Sequence, residues 1–294
     1  MSTARKIPAA IGLALAFVGA LGQASAAGPV RIVAAESVYG DLASQIGGSH
    51  AAVASILASP DEDPHLFEAS ASTARMLADA EIVIYNGADY DAWMDKLLSA
   101  STATGRAVII AADLTGKKSG DNPHLWYDPA TLPAVASALA SELKKRDPAN
   151  AAEFSANLDK FSASFANVLK GIAEIKAAYP GTTVTATEPV FGYMAGAMGL
   201  KMLNDDFQVS MMNETEPSAS AVATFETSLK DGSAKILFYN SQVTDETTTR
   251  LLALAKAANV PVVGVTETEP AGQSIQTWFA GQIDAVRSAL AAHH

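Results

Sequence analysis

The stretch that decides the fold is residues 147–181, DPANAAEFSANLDKFSASFANVLKGIAEIKAAYPG. Asp147 and Pro148 suit a helix start, where an Asp side chain can cap and a proline's missing N–H costs nothing; Tyr179-Pro180-Gly181 supplies a stop. Between them Phe154, Leu158, Phe161, Phe165, Val168 or Leu169, Ile172 and Ile175 recur at steps of four and three. That spacing draws one apolar stripe along a single helix. At 1.5 Å per residue the helix reaches about 45 Å, long enough to cross a two-lobed protein as a spine. Gly171 lies inside it at a cost of about 1 kcal/mol relative to Ala, to be offset by packing. Periodicity by itself leaves an ordinary long surface helix open, so the flanking segments decide.

They alternate. Upstream, the sequence predicts strands at 30–34, 51–57, 81–86 and 106–111, with helices at 38–46, 72–80, 91–100 and 132–145. Downstream, strands are expected at 183–187, 203–209, 235–239 and 261–265, with helices at 190–198, 218–230, 244–258 and 274–291. Short β-branched runs alternating with helical periods imply βα units and parallel sheets. The expected class is therefore α/β, two lobes with parallel-type sheets joined by one long backbone helix. The expected division is a signal segment 1–26, a first lobe 27–147, a spine 148–180 and a second lobe 181–294. No internal sequence repeat or flexible linker is evident.

Residues 1–26 read as an export signal: Arg5 and Lys6, an uncharged run from Ile7 to Leu21, then Ala24-Ser25-Ala26 as a cleavage site. The apolar run is too short to span a membrane, which takes about 20 residues. Its removal lowers Lys+Arg from 20 to 18 against 31 Asp+Glu, a net charge of about −13. Nucleic acid and anionic lipid are poor partners for such a chain, whereas cations are favoured. Among the 294 residues there is no cysteine, so neither a disulfide nor a lipid-modified cysteine is expected. A soluble periplasmic protein, not a lipoprotein, fits this best.

Five histidines stand in the sequence: His50, His65, His124, His293 and His294. His50 falls in a Gly-rich turn and the last two form a tail. His65 and His124 share a context, Asp-Pro-His and Asn-Pro-His, each on a stiff loop beyond a predicted strand of the first lobe. Open α/β sheets bind ligands beyond the carboxyl ends of their strands. In the second lobe Glu188 lies there after 183–187, and Glu267 and Glu269 lie there after 261–265. Two imidazoles with two carboxylates make a mixed N/O site suited to Mn²⁺, Fe²⁺ or Zn²⁺. Glu36, Asn240 and Ser241, at other strand ends, are candidates to hydrogen-bond the ligands. Trp126, Tyr127, Phe191 and Tyr193 read as packing that holds the loops. No phosphate loop, nucleophile elbow, His-Glu-x-x-His helix or Cys-x-x-Cys pair is present.

Four motifs in this order, DPHLFE (63–68), NPHLWYDP (122–129), TEPVFGY (187–193) and VPVVGVTETE (260–269), resemble the zinc/manganese solute-binding proteins of metal ABC transporters. The resemblance covers nearly the whole mature chain. It implies two α/β lobes on one long helix, with a divalent metal held between them. It also implies delivery to an ABC permease with its cytoplasmic ATPase, a monomer, and no enzymatic activity. The implied ligands are His65, His124, Glu188 and, after the last strand, Glu269, with Glu267 as the other choice. Glutamate at the third position and the absence of a His-rich loop in 114–121 lean toward manganese, with zinc and iron open. Two other functions use the same residues or architecture: a metallo-hydrolase, which needs an unliganded general base such as Glu267, and a siderophore- or cobalamin-binding protein, which needs no convergent ligands.

Overall fold

A computed structural model describes residues 1–3, 28–59, 67–101, 103–243 and 245–292. The signal segment beyond residue 3, the loop carrying His65, and the two C-terminal histidines lie outside the described residues. The first lobe contains β1 (Val30–Glu36), α1 (Ser37–Gly47), β2 (Ala51–Leu57), α2 (Ala71–Asp79), β3 (Ile82–Tyr85), α3 (Trp93–Ala100), β4 (Ala107–Ile110), α4 (Ala111–Thr115) and α5 (Thr131–Arg146). The long helix α6 (Ala151–Ala178) follows. The second lobe contains β5 (Thr183–Ala186), α7 (Gly192–Ala197), β6 (Lys201–Leu203), α8 (Asp205–Met212), α9 (Ala219–Lys230), β7 (Leu237–Asn240), α10 (Glu246–Ala257), β8 (Val262–Val265) and α11 (Ile275–Ala291).

Both sheets are parallel throughout, ordered β2-β1-β3-β4 and β6-β5-β7-β8. In the first, Ile32 pairs with Val53 on one side and Ile82 on the other. In the second, Thr185 pairs with both Leu203 and Leu237. The two lobes thus share one topology although no sequence repeat announces it. Each has its switch in strand order between its first and third strands, and there the carboxyl ends diverge to open a crevice. Glu36 ends β1, Asn86 follows β3, Glu188 lies two residues beyond β5, and Asn240 ends β7.

The spine forms as its stripe predicts. Phe154, Phe161, Phe165, Val168, Ile172 and Ile175 are buried; Leu169 is exposed, so Val168 is the residue that continues the stripe. Its start differs from expectation. Asp147 makes no side-chain bond to the backbone; its carboxylate accepts instead from the Asn150 side chain at 2.6 Å, across a 3₁₀ turn, Pro148–Asn150. The helix ends at Ala178, and the chain then turns at Gly181, which takes the left-handed φ of 76° that an L side chain resists. One apolar core runs from β1 of the first lobe through α6 to β7, β8 and α11 of the second.

A second element also joins the lobes. The α11 backbone begins by donating the Ile275 N–H to Asp41 of α1 at 3.0 Å, and Gln276 bonds both Gln45 of α1 and Ser164 of α6. Farther along, α11 passes so close to the spine that a Cβ at Gly171 would come within 2.9 Å of Ile283 Cγ2. The glycine inside the spine is therefore explained by a helix crossing.

The expected strand 203–209 is not formed. Asn204 takes a left-handed φ of 64°, and its amide bonds Thr185 Oγ1 and Ser228 Oγ at 2.9 and 3.0 Å, which stops β6 after Leu203. Asp205 and Asp206 then occupy the first turn of α8, where the helix dipole favours negative charge. Among the described residues no helix is long and apolar enough to cross a membrane.

Candidate metal centre

His124 stands where residues 122–124 turn into a 3₁₀ helix, Leu125–Tyr127. Asn122 fixes the ring: its Oδ1 accepts from the His124 backbone N–H at 3.1 Å and faces Nδ1 at 2.8 Å. The Asn122 amide is itself oriented, because Nδ2 donates across the cleft to the Pro189 carbonyl at 2.7 Å. With Nδ1 thereby carrying the proton, Nε2 presents its lone pair inward. Asn86, at the end of β3, holds the same loop by donating to the Pro123 carbonyl at 2.7 Å. The rings of Tyr90 and Trp126 meet the imidazole edge-on, with centroids 5.8 and 5.6 Å away. Of the flanking aromatics, Trp126, Tyr127 and Phe191 are core residues, as expected.

From the second lobe, Glu267 reaches His124: Oε2 lies 3.4 Å from Nε2, and both side chains are at most 1% exposed. The same oxygen accepts from the Tyr90 hydroxyl at 2.9 Å. Asn240 joins Glu267 to Glu188. Its Nδ2 donates to Glu267 Oε1 at 2.8 Å and to Glu188 Oε2 at 2.5 Å. Gln242 secures the last-strand loop by accepting the Glu267 and Thr268 N–H groups on Oε1. Tyr127 closes the arrangement, donating from the first lobe to the Thr266 carbonyl at 2.8 Å.

Glu269 stands apart from this group. Its N–H donates to Ser37 Oγ at the start of α1, at 3.1 Å. Its carboxyl is pushed up to about 8, chiefly by burial and then by the charge of Asp41. So the structure brings Glu267 to His124, while Glu269 is turned toward α1. Of the remaining expected residues, Glu188 is buried at the cleft and His65 lies outside the described residues. Among the described residues no group of three His, Asp or Glu side chains is arranged to hold an ion alone.

Behind the cleft, Glu36 and Asp91 form a buried acidic pair. Burial raises the Glu36 carboxyl well above the usual range, and the neighbouring Asp91 charge raises it further. Asp91 is pushed up to about 6 by burial while accepting the backbone N–H groups of Asn86 and Gly87. Tyr90, Asn122 and Gln242 were not singled out from sequence. For Asn122 a signal existed, since an Asn two residues before a histidine can accept from its ring.

The family described as "Zinc-uptake complex component A periplasmic" matches residues 32–289 of this chain. A Thermotoga maritima protein is 25% identical over 175 residues, 58% of this chain and 62% of that relative. The metal ABC transporter substrate-binding lipoprotein SloC of Streptococcus mutans is 22% identical over 279 residues, 89% of this chain and 90% of the relative. Among solved structures, the periplasmic zinc-binding protein TroA of Treponema pallidum has the same fold, with a TM-score of 0.76, 18% identity, and coverage of 90% of this chain and 99% of that one. With the match running from the first strand almost to the end of α11, the chain belongs to the zinc-uptake complex component A family, whose members are substrate-binding components and not enzymes.

Proposed function

We propose that this protein is an exported receptor that captures one divalent transition metal ion, Mn²⁺ or Zn²⁺, between its lobes and hands it to an ABC permease driven by a partner ATPase. The ligands in this reading are His65 and His124 from the first lobe with Glu188 and Glu267 from the second. One observation carries it: Glu267, bonded to Asn240 together with Glu188, faces the inward nitrogen of His124 across the cleft at 3.4 Å. Imidazole and carboxylate are the donors that such ions take when no thiolate is offered. Glu267 takes the place of Glu269 as fourth ligand in this reading because its carboxylate is the one that faces His124, while the Glu269 carboxyl lies by the charge of Asp41.

The place of action is the periplasm, reached through cleavage of residues 1–26. SloC is named a lipoprotein; this chain holds no cysteine to acylate, and the receptor is read as released, monomeric and soluble. The hydrolase and the siderophore or cobalamin readings draw no support from the family match. Lobe motion is expected to be small, since α6 and α11 both cross between lobes and share one core. Small-angle scattering with and without metal tests this: a wide domain swing would contradict it. Metal content of protein purified without a histidine tag tests the capture itself. One equivalent per chain is expected, and none after chelation and reloading with excess Mn²⁺ or Zn²⁺ would defeat the proposal.

A further inference from the structure

We infer that Asn122 is a positioning residue that latches His124 of the first lobe to segment 189–193 of the second, so that the joining of the lobes at this seam and the grip on the ion are one equilibrium. This rests on the metal-capture reading. The amide of Asn122 has one orientation open to it. Oδ1 accepts the His124 backbone N–H at 3.1 Å, and Nδ2 lies 2.7 Å from the Pro189 carbonyl, which can only accept. The imidazole Nδ1, 2.8 Å from Oδ1, must therefore donate, and Nε2 is left to face inward. The Asn122 carbonyl is engaged as well, accepting from the Tyr193 hydroxyl at 2.8 Å. One residue of the first lobe thus bonds the second through both side chain and main chain, and one of those bonds is to Pro189, the residue after Glu188.

Gly192 shows what this contact requires. Its backbone is helical, with φ −57° and ψ −47°, so the chain conformation would accept any L residue there. A Cβ at Gly192 would meet one atom within 4 Å, Asn122 Nδ2, at 3.0 Å. The missing methyl therefore makes room for that amide. From the ring, two hydrogen bonds run in series, Nδ1–H to Oδ1 and Nδ2–H to the Pro189 carbonyl. A cation on Nε2 makes Nδ1–H a better donor, which polarises the amide and strengthens its bond across the seam, as linked hydrogen bonds do. The coupling is reciprocal, so whatever parts the seam weakens the hold on the ion by the same factor. A membrane partner that draws the lobes apart here loosens His124 without touching a ligand.

Nitrogen-15 NMR of the metal-free protein at about pH 8, where an ordinary imidazole is neutral, reads the ring directly once the His124 signals are assigned against His124→Gln. Wild type is expected to carry the proton on Nδ1, and Asn122→Ala to shift it at least in part to Nε2, which faces the Glu267 carboxylate at 3.4 Å. Zn²⁺ affinity reads the latch. Asn122→Ala should lower it about 10–100-fold, the scale for losing a partner that orients a ligand. Gly192→Ala lies in the second lobe and presses only on Asn122 Nδ2. It should lower affinity about fivefold or more in the wild type and leave Asn122→Ala unchanged, because the crowded atom is gone there. A wild-type ring protonated on Nε2 would overturn the inference with no variant needed. So would Gly192→Ala binding Zn²⁺ as tightly as wild type, or losing the same factor in both backgrounds. A wild type that takes up no Zn²⁺ would overturn the metal-capture reading itself, while the metal-free spectrum judges the hold of Asn122 on the ring independently.

Discussion

His124 of the first lobe and Glu267 of the second meet with Nε2 and Oε2 3.4 Å apart, both shut away from solvent. Donors so placed, each oriented by its own hydrogen bonds, are the pair on which the proposed site rests. The consequence for binding is direct. His124→Ala and Glu267→Ala should each lower metal affinity by more than about 100-fold, since loss of an orienting partner alone costs about 10–100-fold. Glu269→Gln should change it by only a few-fold. Isothermal titration of the three variants separates Glu267 from Glu269 as the fourth ligand, and the reverse ranking would reinstate Glu269.

Acid should release the ion. Imidazole coordinates only when neutral, so protons compete with metal at His65 and His124. Affinity is expected to be lower at about pH 5.5 than at about pH 7.5. Titrations that give the same Kd at both ends would reject a site built on two histidines.

The Glu36 and Asp91 pair gives a stability prediction of definite sign. Burial raises both carboxyls in the folded protein, Asp91 to about 6. In the unfolded chain they titrate near the ordinary values of about 4. As pH rises above 4 the unfolded chain sheds these protons first, so the stabilisation present at low pH is lost as pH climbs through 6 and beyond. Glu36→Gln removes one of the two buried carboxyls while keeping the shape. Its Tm should match wild type near pH 4.5 and exceed it at pH 8; a difference independent of pH would contradict the pairing.

The crossing of α6 and α11 predicts that Gly171→Ala destabilises the fold. The helix gains about 1 kcal/mol from Ala over Gly. Against this, the new methyl lies 2.9 Å from Ile283 Cγ2, and overpacking a tight core costs about 1–3 kcal/mol. A net loss of about 1 kcal/mol is expected in urea unfolding. Gly171→Ala combined with Ile283→Ala should be less destabilised than the sum of the two single changes.

Much of this was legible in the residues themselves. The stripe from Phe154 to Ile175 announced the spine, and alternating short strands and helices announced two parallel-sheet lobes. His124 and Glu188 stand out as candidates because the carboxyl ends of strands are where open sheets place ligands, and the structure buries both. The choice between Glu267 and Glu269 was beyond the local pattern. They lie two residues apart after the same strand, a spacing that in extended backbone puts both side chains on one side. What separates them is tertiary: Gln242 takes the Glu267 N–H, and Ser37, far away in sequence, takes that of Glu269. The misread 203–209 segment has a similar cause, because Asn204 breaks the strand through bonds to Thr185 and Ser228 that no local rule foresees. The bridging role of α11 likewise depends on contacts with α1 that its own periodicity does not contain.

The most direct test of the account is anomalous diffraction from crystals grown with Zn²⁺ or Mn²⁺. One peak per chain is predicted, within about 2.0–2.2 Å of His65, His124, Glu188 and Glu267 for zinc and slightly farther for manganese. A peak elsewhere, or one touching residues of a single lobe, would contradict capture between the lobes.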